Sequence, residues 1–234
     1  MVAQNHLLNI MSRELSEKLA PNFQQVCLPH AKILHHPGET IKDLYFPIDC
    51  LLSITITMRD GSVVETGVVG NREAIGINAF MGGRETTQTE YIVQIPGNAI
   101  KVPANIMRDE FDSNKELRDL LLRYTQAFIA QISQTAACNR LHSLEQRFAR
   151  WLLEAQNRVD NDNLKLTQEF IANMLGVRRA GVTQAAQKLQ QSGLIEYSRG
   201  RVQIIDQGGL ESSACECFST LAEEYDRLLL KREK

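Results

Sequence analysis

Apolar and polar positions follow three successive rhythms along the chain. Leu7, Leu8, Ile10, Met11, Leu15 and Leu19 recur at helical spacing, which predicts a short amphipathic helix over residues 5–20, ended by Pro21. From about residue 25 to residue 103 the texture changes to short β-rich runs at 25–28, 48–58, 62–69 and 91–93. Turn signals separate them: Pro37-Gly38, Asp60-Gly61, Gly82-Gly83 and Pro96-Gly97-Asn98. Asp60-Gly61 between two apolar-alternating runs is a strong hairpin signal. Many short strands at this spacing imply an antiparallel sandwich or roll. Helical spacing then returns, with a short helix over 104–112 and a long one over 113–138 that holds no proline or glycine. The long helix carries two overlapping stripes, Leu117, Leu121, Tyr124, Phe128 and Leu122, Ile129, Ile132, Ala136. Two stripes imply two partners, the roll and a second copy of the helix; the alternative is a single wide core face. A further helix over 141–159 carries Leu144, Phe148, Trp151, Leu152 and Ala155, and a polar loop follows at 160–163.

Residues 166–205 read as a helix, a tight turn, a second helix and a β-hairpin, the outline of a winged helix-turn-helix. Thr167 is a candidate N-cap, and Ile171, Ala172 and Leu175 form the apolar side of the first helix. Gly176 ends that helix where the chain must turn sharply. Val182, Ala185 and Ala186 fall where the second helix presses on the first, and the small Ala172 and Ala186 permit close approach. The polar residues left on the second helix include Arg178, Arg179, Thr183, Gln184 and Lys188. Arg and Gln reach guanine and adenine edges bidentately in the major groove, and Lys suits phosphates. Arg179 and Gln184 are therefore candidates for base contacts; Arg178, Lys188, Arg199 and Arg201 are candidates for phosphate contacts. Thr167, Gln168 and Thr183 complete the candidate DNA-binding set. The plainer reading is a helical hairpin with a solvated charged face.

The 234 residues allow one large or two modest domains, with ordinary globular composition: 43% apolar and 23% charged. The net charge of −2 would not by itself point to nucleic acid. Its distribution does, because residues 176–204 hold five basic residues against one acidic residue, Glu196. No apolar run is long enough for a transmembrane helix and no signal peptide is recognisable, so a cytoplasmic protein without a membrane partner is expected. Five scattered cysteines, Cys27, Cys50, Cys138, Cys215 and Cys217, argue against a disulfide framework. Cys215 and Cys217 would point to different sides of one continuous helix over 210–230, so no metal is expected there. A cupin-like metalloenzyme is the alternative from another class. His30, His35 and His36 lie near the first strands, but adjacent His35 and His36 would face opposite ways and no third ligand is evident. No nucleophile motif or phosphate-cradling glycine loop occurs, so no catalytic residue, cofactor or metal is assigned and the chain is read as a non-enzyme.

The order helix, roll, long helix, winged helix-turn-helix resembles the CRP/FNR family of bacterial transcription regulators. Residues 166–205 carry the most specific part, with Gly70-Asn71-Arg72-Glu73-Ala74-Ile75-Gly76 in the roll. The resemblance implies an α+β fold: an N-terminal jelly-roll-like antiparallel β-roll with flanking helices (1–112), a long dimerisation helix (113–139) and a winged helix-turn-helix domain with an extra C-terminal helix (140–234). It implies a homodimer on double-stranded DNA, through Leu121, Tyr124, Phe128 and Ile132, reading half-sites about one helical turn apart. RNA polymerase is a further partner by the same resemblance.

Two departures matter. The family's cyclic-nucleotide cassette has a glutamate after the glycine that corresponds to Gly76, and an arginine about ten residues on. Here Ile77 and Thr86-Thr87-Gln88 occupy those places, with Arg84 nearby. The candidate effector pocket is Gly76, Ile77, Asn78, Arg84, Thr86 and Thr87, and cAMP is not expected to gate it, since an apolar side chain cannot accept from a ribose hydroxyl. A cyclic nucleotide bound in a non-standard pocket is the alternative; the effector is otherwise unknown. On the recognition helix, Arg179, Ala180 and Gln184 replace the family's Arg-Glu-x-x-x-Arg set, which implies a different half-site. The N-terminal cysteines of the iron–sulfur branch are missing from residues 1–26.

Overall fold

The computed structural model describes residues 5–81 and 86–230, so the Gly82-Gly83 turn and Arg84 lie outside the described residues. The first predicted helix is divided into α1 (His6–Asn9) and α2 (Arg13–Leu19). Two caps cause the break. Asn5 Oδ1 accepts from the Leu7 and Leu8 amides, and Ser12 Oγ from the Leu15 amide. Asn5 Nδ2 also donates to Pro47 O and Glu73 O, which ties this segment to the roll.

The roll is built from β1 (Gln24–Leu28), β2 (Ile33–His35), β3 (Asp43–Pro47), β4 (Leu51–Thr57), β5 (Val63–Val69), β6 (Glu90–Ile95) and β7 (Gly97–Pro103). They form two antiparallel sheets, in the orders β1-β7-β3 and β2-β6-β4-β5. Asp60-Gly61 makes the expected hairpin, with Gly61 at φ 84° and the Met58 amide donating to Ser62 O at 2.8 Å. β2, β3 and β7 were not anticipated, because they are short or carry polar residues such as Asp43, Asn98 and Lys101. The apolar faces of both sheets, with Leu44, Phe46, Leu52 and Val93, meet Leu117, Leu121 and Tyr124 in one core.

α3 (Ala104–Ser113) leads into α4 (Lys115–Leu141), where the long helix was expected. α4 lies along β5: Gln131 Nε2 donates to Val68 O at 3.2 Å, and the Phe128 ring covers Gly67. This contact decides which residues of α4 are covered within the chain. Leu121 and Tyr124 are wholly buried in the chain's own core, and Tyr124 Oη donates to Ala74 O at 2.6 Å. Phe128 is half-buried. The face left to solvent is the second stripe, Leu122, Ile129 and Ile132, at 51%, 57% and 38% exposure. Of the four residues expected to meet a second copy, Ile132 lies on this exposed face, whereas Leu121 and Tyr124 are buried within the chain.

His142 and Ser143 turn the chain from α4 into α5 (Leu144–Val159), which a capping box between Ser143 and Gln146 starts. After it come β8 (Asn163–Lys165), α6 (Gln168–Leu175), α7 (Arg179–Gln191), β9 (Ile195–Ser198), β10 (Arg201–Ile204), α8 (Gln207–Ser213) and α9 (Cys217–Leu229). The helix expected over 210–230 is broken at Ala214, whose backbone is extended at ψ 163°, so Cys215 and Cys217 do not share one helix. α9 folds back along α4, and its Tyr225, Leu228 and Leu229 join the roll's core.

α5 is buried on every side from Arg147 to Gln156. Phe148, Trp151 and Leu152 share a core with Met174 and Leu175 of α6 and with Leu51, Val68 and Ile95 of the roll. The helix-turn-helix is therefore docked on the roll. Polar contacts cross the seam: Arg158 pairs with Glu73 at 2.9 Å, and Trp151 Nε1 donates to Glu65 Oε1 at 2.9 Å. Glu65 also accepts from Ser53 Oγ. Burial pushes its pKa up from 4.5 to about 7, against the two hydrogen bonds, which favour the charged form. Because the folded value lies above the unfolded one, the stability it contributes is complete below about pH 4.5. It is lost as pH rises through about 7, a cost on the order of 3 kcal/mol. Glu65→Gln is expected to raise Tm near pH 8 and leave it little changed near pH 5; parallel Tm–pH curves for wild type and variant would count against this.

Candidate nucleic-acid interface

The helix-turn-helix is set by local chemistry. Thr167 Oγ1 accepts from the Phe170 amide and starts α6. Gly176 ends it at φ 62°, and the Val177 amide returns to Ala172 O at 2.9 Å. Arg147 donates to Leu175 O, satisfying a carbonyl at the end of α6 that the helix leaves unpaired. Ala172, Val182 and Ala186 are all buried, as close helix packing requires. Gly181, in the first turn of α7, lies against Leu144, and a Cβ there would approach Leu144 Cδ2 to 3.0 Å.

The opposite side of α7 carries Arg178, Arg179, Gln184, Gln187 and Lys188, all exposed. Arg178 occupies the N-cap without capping through its side chain, and the first turn has no acidic residue. Positive charge and unpaired amides therefore point the same way. Thr183 is half-buried and donates to Gln168 Oε1 at 3.0 Å, while Arg179 Nε donates to the same oxygen at 3.4 Å. Gln168 thus orients Arg179 and Thr183 from the first helix. Lys188 pairs with Glu145 of α5, which the sequence reading missed because Glu145 lies outside the motif and on no apolar stripe. Both side chains are solvent-exposed, so the pair is weak and exchangeable for a phosphate.

β9 and β10 form the expected wing, with β8 as a third strand in the order β8-β10-β9. Arg199 and Gly200 make its turn at φ 48° and 75°, positive at both positions as a two-residue hairpin of this type requires. The left-handed conformation suits Gly or Asn better than Arg, so Arg199 carries backbone strain at the wing tip. Arg199 and Arg201 are both exposed. The wing is fastened to the helices: the Tyr197 amide donates to Gln190 Oε1 at 2.9 Å, and Tyr197 Oη to Leu166 O at 3.1 Å. The nine assigned residues thus come from three places, the start of α6, the outer side of α7 and the wing.

In the roll, Gly76 has φ 98°, and a Cβ would come within 2.9 Å of Asp43 O, so glycine is required there. Ile77 is 5% exposed and packs in the roll core. Asn78 Oδ1 accepts from Tyr91 Oη at 2.9 Å, Thr87 and Thr89 share a hydrogen bond, and Thr86 Oγ1 is buried. Arg84 lies outside the described residues. The roll histidines do not converge: His30 Nδ1 contacts Gln94 O, His35 packs on the Tyr91 ring at 5.0 Å, and His36 faces Glu90. The Cys50 thiol is buried and pushed up to about 12, first by burial and then by Asp49, which makes it a poor nucleophile. Among the described residues no helix is long and apolar enough to cross a membrane.

Comparison with known proteins places this geometry. Residues 146–213 match the Crp-like helix-turn-helix domain family. The Global nitrogen regulator of Synechococcus elongatus is 21% identical over 216 residues, covering 88% of this chain and 96% of that protein. Similar solved structures include FixK2 from Bradyrhizobium japonicum, at TM-score 0.71 and 13% identity over 82% of this chain and 98% of that one. A CRP-family transcriptional regulator from Thermus thermophilus aligns at TM-score 0.66 and 19% identity, over 82% and 96% of the two chains. Residues 146–213 thus belong to the Crp-like helix-turn-helix domain family, carried on a chain whose fold is similar to that of these regulators.

Proposed function

We propose that two copies of this chain pair through α4 and read a near-palindromic DNA site with α7, without gating by cAMP. The observation that carries the reading is the exposed side of α7, with Arg178, Arg179, Gln184 and Lys188, together with the two exposed arginines of the adjoining wing. Arg179 and Gln184 serve as base readers; Arg178, Lys188, Arg199 and Arg201 meet phosphates. Pairing through α4 is supported by the unpartnered stripe Leu122, Ile129 and Ile132, spaced as in a helix–helix seam. Independence from cAMP is supported by Ile77, which fills with hydrocarbon the place where the resembled cassette needs an acceptor for the ribose hydroxyl. RNA polymerase and an effector of other chemistry remain partners proposed by resemblance, and the cytoplasm is the expected compartment.

Selection of random duplex DNA by the purified protein, with and without cAMP, tests this reading. It is expected to enrich the same near-palindrome in both conditions, and enrichment only with cAMP would overturn the gating claim. Arg179→Ala is expected to cost about 1–3 kcal/mol of site affinity and to relax preference at one base pair. Arg201→Ala should weaken all sequences alike and reduce the salt slope by about one. Equal loss on every sequence for Arg179→Ala would remove it from the base readers. Arg199→Asn should relieve the turn and raise Tm slightly while weakening DNA binding; unchanged affinity would exclude a phosphate role for Arg199. Ile129→Glu is expected to shift the protein from dimer to monomer in sedimentation at unchanged helicity, and a persistent dimer would place the interface elsewhere.

A further inference from the structure

Cys138, His142, Cys215 and Cys217 converge where α4 ends and α8 passes into α9. Cys138 and His142 stand one helical turn apart at the C-terminal end of α4. The extended backbone at Ala214 interrupts the last helices, so Cys215 precedes α9 and Cys217 opens it. The two thiols therefore reach the same point. One potential ligand atom from each of the four residues lies within 4.8 Å of all the others. Cys138 Sγ and Cys215 Sγ are 3.5 Å apart, and Cys217 Sγ is 3.5 Å from His142 Nδ1. The three cysteines are buried and form a cluster separate from the two main cores.

We propose that these four side chains form a mononuclear zinc site. The donor set Cys₃His is one that tetrahedral zinc takes in structural sites. Zn–S and Zn–N bonds near 2.3 and 2.0 Å set tetrahedral ligand separations of about 3.4–3.8 Å, close to the observed spacing. An iron–sulfur cluster would hold ligands on different irons farther apart than the 4.8 Å that encloses all four atoms here. The surroundings also fit. With Nδ1 turned to the cluster, His142 Nε2 faces the Glu216 carboxylate at 3.2 Å, the second-sphere partner that orients a metal-binding imidazole. Gln134 Nε2 lies 3.1 Å from Cys217 Sγ and donates to it. Arg147 and Arg150 of α5 lie near enough to Cys138 and Cys215 to offset the net negative charge of three thiolates on a divalent ion. A bound ion would tie three pieces together: the end of α4, the turn at His142–Ser143 from which the helix-turn-helix domain departs, and the α8–α9 junction. It would fix the angle at which that domain leaves the long helix, and metal loss would loosen it.

The test uses full-length protein purified under reducing conditions after growth with zinc. Mass spectrometric metal analysis is expected to find about one zinc per chain, and Cys138→Ser or Cys217→Ser to lose most of it. Cys27→Ser, outside the cluster, should keep it. Cobalt added to metal-stripped wild type should give a thiolate-to-cobalt charge-transfer band and the strong visible bands of a tetrahedral ion, a readout that needs no variant to fold. Glu216→Gln, at an exposed carboxylate, should weaken zinc about 10–100-fold against a competing chelator. Iron with stoichiometric sulfide, a Cys138–Cys215 disulfide in metal-free protein, or reduced thiols that bind neither zinc nor cobalt would each overturn the proposal.

Discussion

The structure depends on burying α5 from all sides. A helix with charged residues on several faces is stable in that place only if each charge finds a partner, since an unpaired buried ion costs more than packing returns. Arg150 pairs with Glu154, Arg158 with Glu73, and Arg147 caps the end of α6. Removing one member of such a buried pair typically costs about 3–5 kcal/mol. The pairings fix the pose as well as the energy, because Glu73 belongs to the roll and Leu175 to the helix-turn-helix.

The reading surface inherits its orientation from that helix. α7 leans on α5 through Gly181 and Leu144, and α6 meets β5 where Gly176 approaches Val64. The exposed polar side of α7 and the strained wing tip are then presented on a rigid support, which positions side chains better than a free loop would. Lys188 is held in a weak solvent-exposed pair with Glu145 that a phosphate can replace.

The roll and the long helix share one core, and this determines which side of α4 stays exposed. Its first stripe meets Gly67 and Ala74 of the roll, and Gln131 beside it bonds Val68, leaving Leu122, Ile129 and Ile132 outside. α9 covers another part of the same helix, and at its start the thiols of Cys215 and Cys217 reach Cys138 and His142. The turn between α4 and α5 therefore sits between the core that orders the roll and the side-chain cluster that closes the chain.

The sequence by itself determined the helix-turn-helix and its wing. Thr167, Gly176, Ala172, Val182 and Arg199-Gly200 act through caps, turns and neighbours a few residues away, and such short-range rules are written in spacing. The long α4 and the Asp60-Gly61 hairpin were legible for the same reason. Tertiary structure alone decided which stripe of α4 was free, because periodicity shows that a face is apolar and not what covers it. It alone revealed β2, β3, β7 and β8, whose short or polar strands are held by their neighbours in the sheet. It also brought Cys138 and His142 to Cys215 and Cys217 across some seventy positions of chain, a meeting that depends on a helix break at Ala214 which the apolar pattern of 210–230 runs straight through.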